Sequence, residues 1–249
     1  SCAKCLSCWV TFSVASITPD RGGSGGFVTA KLTGAGFRPT SRIFLFSGSQ
    51  QIAEAELRSF VSTMGMTVRW DLRGVPLGTY DIEVRNQDSS TARLTGGFTV
   101  EPMRDPSISV SHTTPRLLLV GRKETYHFRF TNTSNIDVSY FFTNIAVPAG
   151  TEISVETDSD LLRTRNDMVP DSLIPEGETL DDWADNGDVR IVPLVGRDIP
   201  PGEAYNCRVT FRNPGALSGE DFPMAVLTRT MTKEGFLAAQ LPQIETYRA

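Results

Sequence analysis

The chain predicts an all-β protein of two tandem β-sandwiches, the second carrying an irregular acidic insertion. Three observations predict it. Apolar residues recur with a period of two, the signature of a strand with one buried face. The 21 Gly and 15 Pro fall mostly between such runs, where turns need them. The 249 residues exceed one small sandwich and fit two of ordinary size, roughly 100 to 140 residues each.

In order, the runs of the first half are Val10–Ile17, Phe27–Leu32, Arg42–Phe46, Glu54–Val61, Thr67–Leu72, Thr79–Arg85 and Ala92–Val100. In Thr79-Tyr-Asp-Ile-Glu-Val-Arg85, Tyr80, Ile82 and Val84 point inward and the charges outward. Trp70 shares parity with Val68 and Leu72 and belongs to the core. Gly23, Gly26, Gly34, Gly36 and Gly78 are assigned between strands, and Asn86-Gln-Asp-Ser-Ser90 makes a hairpin turn. Glu101-Pro-Met-Arg-Asp-Pro106 reads as a short, stiff linker, with the boundary near Arg104. The division is thus a Cys-containing leader over 1–12, one sandwich over 13–103 and a second over 104–249.

The second half continues with Ser107–His112 and with Glu124–Phe130 in strict alternation. Phe141 and Phe142 read as core residues on both faces of one strand. Cys207 lies on the face that carries Tyr205, Val209 and Phe211 and reads as a small core hydrophobe. Asn132-Thr-Ser134 has the form of a glycan acceptor and sits in a turn. The segment 151–188 breaks the pattern: between Glu152 and Asp188 twelve Asp and Glu face only Arg163 and Arg165. Gly177–Ala184 fits a short helix, with Leu180 and Trp183 packing on the sandwich edge.

The run Ile17-Thr-Pro19, Gly22-Gly23, Gly25-Gly26, Val28, Leu32-Thr-Gly34-Ala-Gly36-Phe37, then Pro76-Leu-Gly78-Thr-Tyr80 through Asp88, closing with Leu94-Thr-Gly-Gly-Phe98-Thr-Val100, resembles an IPT/TIG-type immunoglobulin-like domain. The version it is most similar to occurs as repeats in large secreted and surface bacterial proteins. The resemblance covers 14–100. It implies an immunoglobulin-like sandwich serving as a spacer or adhesion module, and it brings no catalytic residues. More loosely, Pro115-Arg-Leu, Val120-Gly-Arg122, the alternating Tyr126, Phe128 and Phe130, the turn Asn132–Val138 and Pro200-Pro-Gly-Glu203 look similar to sandwich modules of bacterial surface proteins.

The net charge is −5. Up to Met103 there are ten Lys and Arg against eight Asp and Glu, leaving 14 against 21 beyond, so the second half holds the acidic excess. Nucleic acid is a poor partner for a chain without a clustered basic field. No stretch approaches the roughly 18 apolar residues of a membrane span, so membrane insertion is not expected. Ser1 in place of Met suggests a fragment or mature piece of a longer polypeptide, with neighbouring domains as partners and an extracellular or cell-surface location.

Cys2, Cys5 and Cys8 have spacing that offers three thiolates to zinc or an iron–sulfur centre, or thiols that pair with one another or with upstream chain. No His follows the Cys-x-x-Cys pairs, which excludes c-type haem attachment. In the acidic segment Asp181, Asp182, Asp185, Asn186 and Asp188 are candidate calcium ligands, since Ca²⁺ takes six to eight oxygens. The loop does not follow the EF-hand order, and a solvated insertion is the competing reading. No other cofactor is indicated.

Catalysis finds little support. His112 and His127 are the only histidines, neither lies near a nucleophile motif, and Gly22–Gly26 precedes a strand rather than the helix that would cradle phosphate. The function expected is a non-catalytic spacer and adhesion segment. The alternative is a module binding a surface glycan or protein, through Trp9, Trp70 and Trp183 stacked on sugars or through the acidic insertion with calcium.

Overall fold

The computed structural model describes residues 11–113, 121–164, 184–186, 189–212 and 224–231. Among them every regular element is a β-strand, and they form two compact units. The first comprises residues up to Asp105 together with Asn135–Asp137; the second comprises the rest.

In the first unit the strands are β1 (Ser13–Thr18), β2 (Arg21–Gly23), β3 (Phe27–Ala35), β4 (Arg42–Ser47), β5 (Gln50–Ser62), β6 (Gly65–Asp71), β7 (Gly78–Arg85) and β8 (Thr91–Glu101). They hydrogen-bond in the order β1-β3-β6-β5-β4-β7-β8-β2. The path doubles over on β5, whose first half pairs with β4 up to Ala55 and whose second half pairs with β6 from Glu56. One long strand therefore serves both layers, with register shifts on either side of the change, at Gln51–Ala53 and at Leu57–Ser59, as corner strands do.

Alternation places Val28, Ala30, Leu32, Val68 and Trp70 from one layer against Ile43, Leu45, Ile82, Val84, Phe98 and Val100 from the other, all buried. Trp70 is fully enclosed beside Phe98, their ring centroids 6.0 Å apart. Tyr80 Oη donates to the Pro76 carbonyl at 2.7 Å, a tyrosine corner of the kind found in immunoglobulin-type sandwiches. The 86–90 turn is closed by Asn86 N to Ser90 O, with Ser89 at φ 64°.

The structure corrects the reading of the glycines. Gly23 lies in β2, Gly34 in β3 and Gly78 at the start of β7, not between strands. A Cβ on Gly34 would run into the Ser13 carbonyl and the Phe37 ring, so glycine is what lets β1 lie against β3. β2 went unread because two of its three residues have no side chain to carry a period.

β1 and β2 continue in one direction but join different sheets. Ser13 lies opposite Ala35, at one pole of the sandwich. Gly23 lies opposite Glu101, at the other pole. β2 pairs with β8 in parallel, flanked by Thr99 N to Asp20 O and Ser24 N to Glu101 O, both 2.9 Å. The chain of this unit thus enters at one pole and leaves at the other.

The second unit is also a two-layer sandwich. Its first sheet orders β12 (Glu152–Thr157), β16 (Ala204–Arg212), β10 (Lys123–Asn132) and β9 (Ile108–Thr113). Its second orders β13 (Leu162–Thr164), β15 (Val189–Ile199), β11 (Val138–Pro148) and β17 (Ala225–Met231), with β14 (Ala184–Asn186) also on β15. The core joins Tyr126, Phe128, Phe130, Val209 and Phe211 to Phe141, Ile145, Val192 and Leu194. Phe141 is fully buried and Phe142 half-buried.

The stretch read as irregular from residue 151 begins as regular strand. In β12, Glu152 pairs with Arg212 at 3.1 Å and Glu156 with Arg208 at 2.6 Å across to β16, so opposite charges on the neighbouring strand offset the carboxylates. Ala184, placed at the end of a short helix, belongs to β14; residues 177–183 lie outside the described residues.

The glycan-acceptor reading of Asn132 is also corrected. Its side chain is 1% exposed; Nδ2 donates to the Ile199 carbonyl at 2.9 Å, and Oδ1 accepts from Ser134 N and Oγ. The nitrogen that would carry a sugar is sealed inside the fold.

Candidate functional site

The most elaborate polar constellation among the described residues lies in the first unit, where Asn135, Ile136 and Asp137 are seated on the glycine-dense segment. Their main chain extends the local hydrogen bonding: Gly23 N donates to Asn135 O at 2.8 Å, and Asp137 N donates to Phe27 O at 2.7 Å. Each side chain then meets its own receptor.

Asn135 is read by its carboxamide. Oδ1 accepts from Arg104 N at 2.8 Å, and Nδ2 donates to Glu101 Oε1 at 3.0 Å and to Pro102 O at 2.9 Å. An amide is the group that accepts on one side and donates twice on the other. Ile136 fills a notch that exists because side chains are missing. A Cβ on Gly26 would lie 2.9 Å from Ile136 Cγ2, and one on Gly23 would lie 2.9 Å from the same atom and 2.6 Å from Asn135 Oδ1.

Asp137 is 8% exposed. Its Oδ1 accepts from Thr29 N at 2.7 Å and its Oδ2 from Thr29 Oγ1 at 2.8 Å. Arg69 Nε stands 3.5 Å from Oδ2, with its guanidinium 4.1 Å from the centre of the Phe27 ring. A buried carboxylate is tolerable when hydrogen bonds and a cation answer it, and here both do.

The carboxyl of Glu101 is held below its ordinary value of 4.5, chiefly by the Asn135 amide and further by Arg104, against the opposing effect of burial. Asp20 is lowered by Arg21, Asp71 by Arg73, Glu54 by Arg42 and Asp88 by Ser90. Each is a carboxylate whose folded pKa lies below its unfolded one, so its contribution is present above the unfolded value and lost as pH falls through the folded one. The denaturation midpoint is therefore expected to stay level from pH 7 to about 5 and to fall below about pH 4; urea titrations across that range check it, and a midpoint rising on acidification would contradict it.

A second feature lies on the outer side of the β4-β7-β8 sheet. Phe44 and Phe46 have the parity opposite to Ile43 and Leu45, yet both are buried. Arg42 and Arg85 lie 5.1 and 4.7 Å from the centre of Phe44, and Arg93 lies 5.1 Å from that of Phe46. Glu54, Glu83 and Asp81 pair with these three guanidinium groups at 2.7, 2.6 and 2.9 Å. The arginines cover both rings, and Phe44 and Phe46 are too buried to offer a face to a sugar. Trp70 is likewise buried, while Trp9 and Trp183 lie outside the described residues.

Of the calcium candidates, Asp181, Asp182 and Asp188 lie outside the described residues. The backbone of Asp185 and Asn186 is in β14, opposite Arg190 and Val189. Among the described residues no group of three or more His, Cys, Asp or Glu is placed to hold a metal ion. Cys2, Cys5 and Cys8 also lie outside them.

Cys207 is in the core, as its strand parity indicates, and burial pushes its thiol up to about 12. A thiol with so little thiolate is unreactive at neutral pH. In a chain with Cys2, Cys5 and Cys8 replaced by serine, an aromatic disulfide reagent is expected to titrate no thiol in buffer and one in denaturant; rapid labelling in buffer would contradict the placement.

No protein-family model and no curated protein matches the chain. Among solved structures, it is similar to a marsupial T cell receptor at 12% identity with a TM-score of 0.27, over 90% of this chain. The similarity spans 61% of the receptor chain.

Proposed function

We propose that this chain is a non-catalytic, load-carrying spacer of a larger extracellular or cell-surface protein, its first unit an IPT/TIG-like module with an adhesion role. The observation that carries this reading is the split first strand. β1 is bonded into one sheet and β2 into the other, and β2 runs parallel to β8, the strand by which the unit's chain leaves. Tension on the two ends drags β2 and β8 lengthwise in opposite directions. Bonds loaded in this way share the force and must fail together, whereas a strand peeled from its end loses them singly. A fold gripping its terminal strands in shear suits a protein that holds something at a distance under tension.

Single-molecule stretching of the full chain tests this. Ser24→Pro removes the amide that donates to Glu101 O and leaves the core untouched. The variant is expected to unfold its first unit at a clearly lower force than the parent, with a smaller change in equilibrium stability. Equal rupture forces would refute the shear clamp and with it the spacer reading.

A further inference from the structure

We propose that the seat of Asn135–Asp137 is a peptide-recognition site, specific for a turn of the form Asn–apolar–Asp, and that the chain's own residues occupy it in cis. The reasoning starts from what the seat supplies before anything sits in it. The Gly23 amide and the Phe27 carbonyl form one main-chain donor and one main-chain acceptor that grip the bend at its two ends, through Asn135 O and Asp137 N. The bare backbones of Gly23 and Gly26 leave a notch for one branched apolar side chain.

On one side of the notch, Arg104 N, Pro102 O and the Glu101 carboxylate present a donor and two acceptors. This pattern accepts a carboxamide and rejects a carboxylate, which would face Glu101 with like charge. On the other side, Thr29 offers its amide and its hydroxyl to a single carboxylate, with Arg69 behind it. Each of the three positions is thus read by different chemistry, and two are read through groups that are costly to leave unpaired. None of these receptors adjoins the occupant in sequence: Thr29 lies 108 residues from Asp137 and Glu101 lies 34 from Asn135. Recognition rests on the groups presented, which the same turn of another polypeptide satisfies equally. The resident segment then acts as a built-in competitor that an external ligand must displace.

The test uses the full chain with Asn135→Gly, Ile136→Gly and Asp137→Gly combined, and a blocked synthetic peptide Ser-Asn-Ile-Asp-Val as the probe. Addition of the peptide is expected to shift the Thr29 and Gly23 amide resonances saturably and to raise the thermal midpoint of the variant. Peptides with alanine for Asn or for Asp are expected to bind at least about tenfold more weakly. If the triple variant is unfolded alone, saturating peptide is expected to refold its first unit, and the Ile136→Gly single variant gives the same titration in a less perturbed chain. Amide resonances that stay unmoved at millimolar peptide, or equal binding of the alanine peptides, would overturn the proposal.

Discussion

Asp137→Ala is expected to destabilise the first unit by roughly 3–5 kcal/mol, the range for breaking a buried charged pair while leaving its partners in place. The substitution strands three groups at once. Thr29 N and Thr29 Oγ1 lose their acceptors, and Arg69, its side chain 18% exposed, loses the carboxylate 3.5 Å away. Desolvation already spent on those groups is no longer offset. Asp137→Asn keeps an oxygen for the Thr29 amide and is expected to recover part of the loss, though not the attraction to Arg69. Hydrogen exchange is the suitable readout, since it isolates the β3 amides from the rest of the chain: protection at Thr29 and its β3 neighbours should collapse in the alanine variant and stay high in the parent. A loss below about 1 kcal/mol would mean that the unit does not depend on this carboxylate.

Trp70 gives the second large effect and a sharper contrast. Trp70→Ala empties the middle of the first core beside Phe98 and is expected to cost about 3–5 kcal/mol. Trp70→Phe should cost far less, within about 1.5 kcal/mol, for a reason peculiar to this site. Among the described residues the buried indole Nε1 has no hydrogen-bond partner, and a buried donor left unpaired is itself a burden of about 1–3 kcal/mol. The phenyl ring gives up volume but removes that burden. Denaturant titration of both variants decides it; a phenylalanine variant as weak as the alanine one would show that the indole nitrogen is satisfied after all.

The fold was legible where side chains alternate. Tyr80, Ile82 and Val84, the parity of Trp70 with Val68, and the inward placement of Cys207 follow from period two alone. The misses share a different cause. β2 is written in Gly22 and Gly23, so no pattern of side chains marks it, and its partner β8 lies almost eighty residues downstream. β5 opens at Gln50, four residues before the run read from Glu54, because it starts on two polar residues, Gln50 and Gln51, and its apolar pair Ile52-Ala53 is adjacent rather than alternating. Four consecutive apolar residues, Ile43–Phe46, held a readable signal that both faces of β4 are covered. What covers the outer one, three arginines from three strands, is set by cross-strand register.

The seat was illegible for the same reason of distance. Glycines at 22–26 look like a flexible turn until Ile136 is seen to need their missing side chains, and Asn-Ile-Asp looks like an ordinary connection until Thr29 and Glu101 are found around it. A sequence clue existed in the density of glycine next to a strand that must be closely approached. It does not say by what. Asn132 shows the converse error: a motif of three residues was complete in the sequence, yet burial removes the chemistry the motif advertises.

Stretching the full chain in two directions tests the spacer account most directly. Tension applied through the two ends of the first unit should be resisted by β2 against β8 in shear. Tension applied instead across the β4–β5 hairpin, through attachment points at Arg42 and Glu54 on the two strands at its open end, should peel bonds one at a time and rupture at a markedly lower force. A first unit that yields as easily end to end as it does across the hairpin would contradict the account.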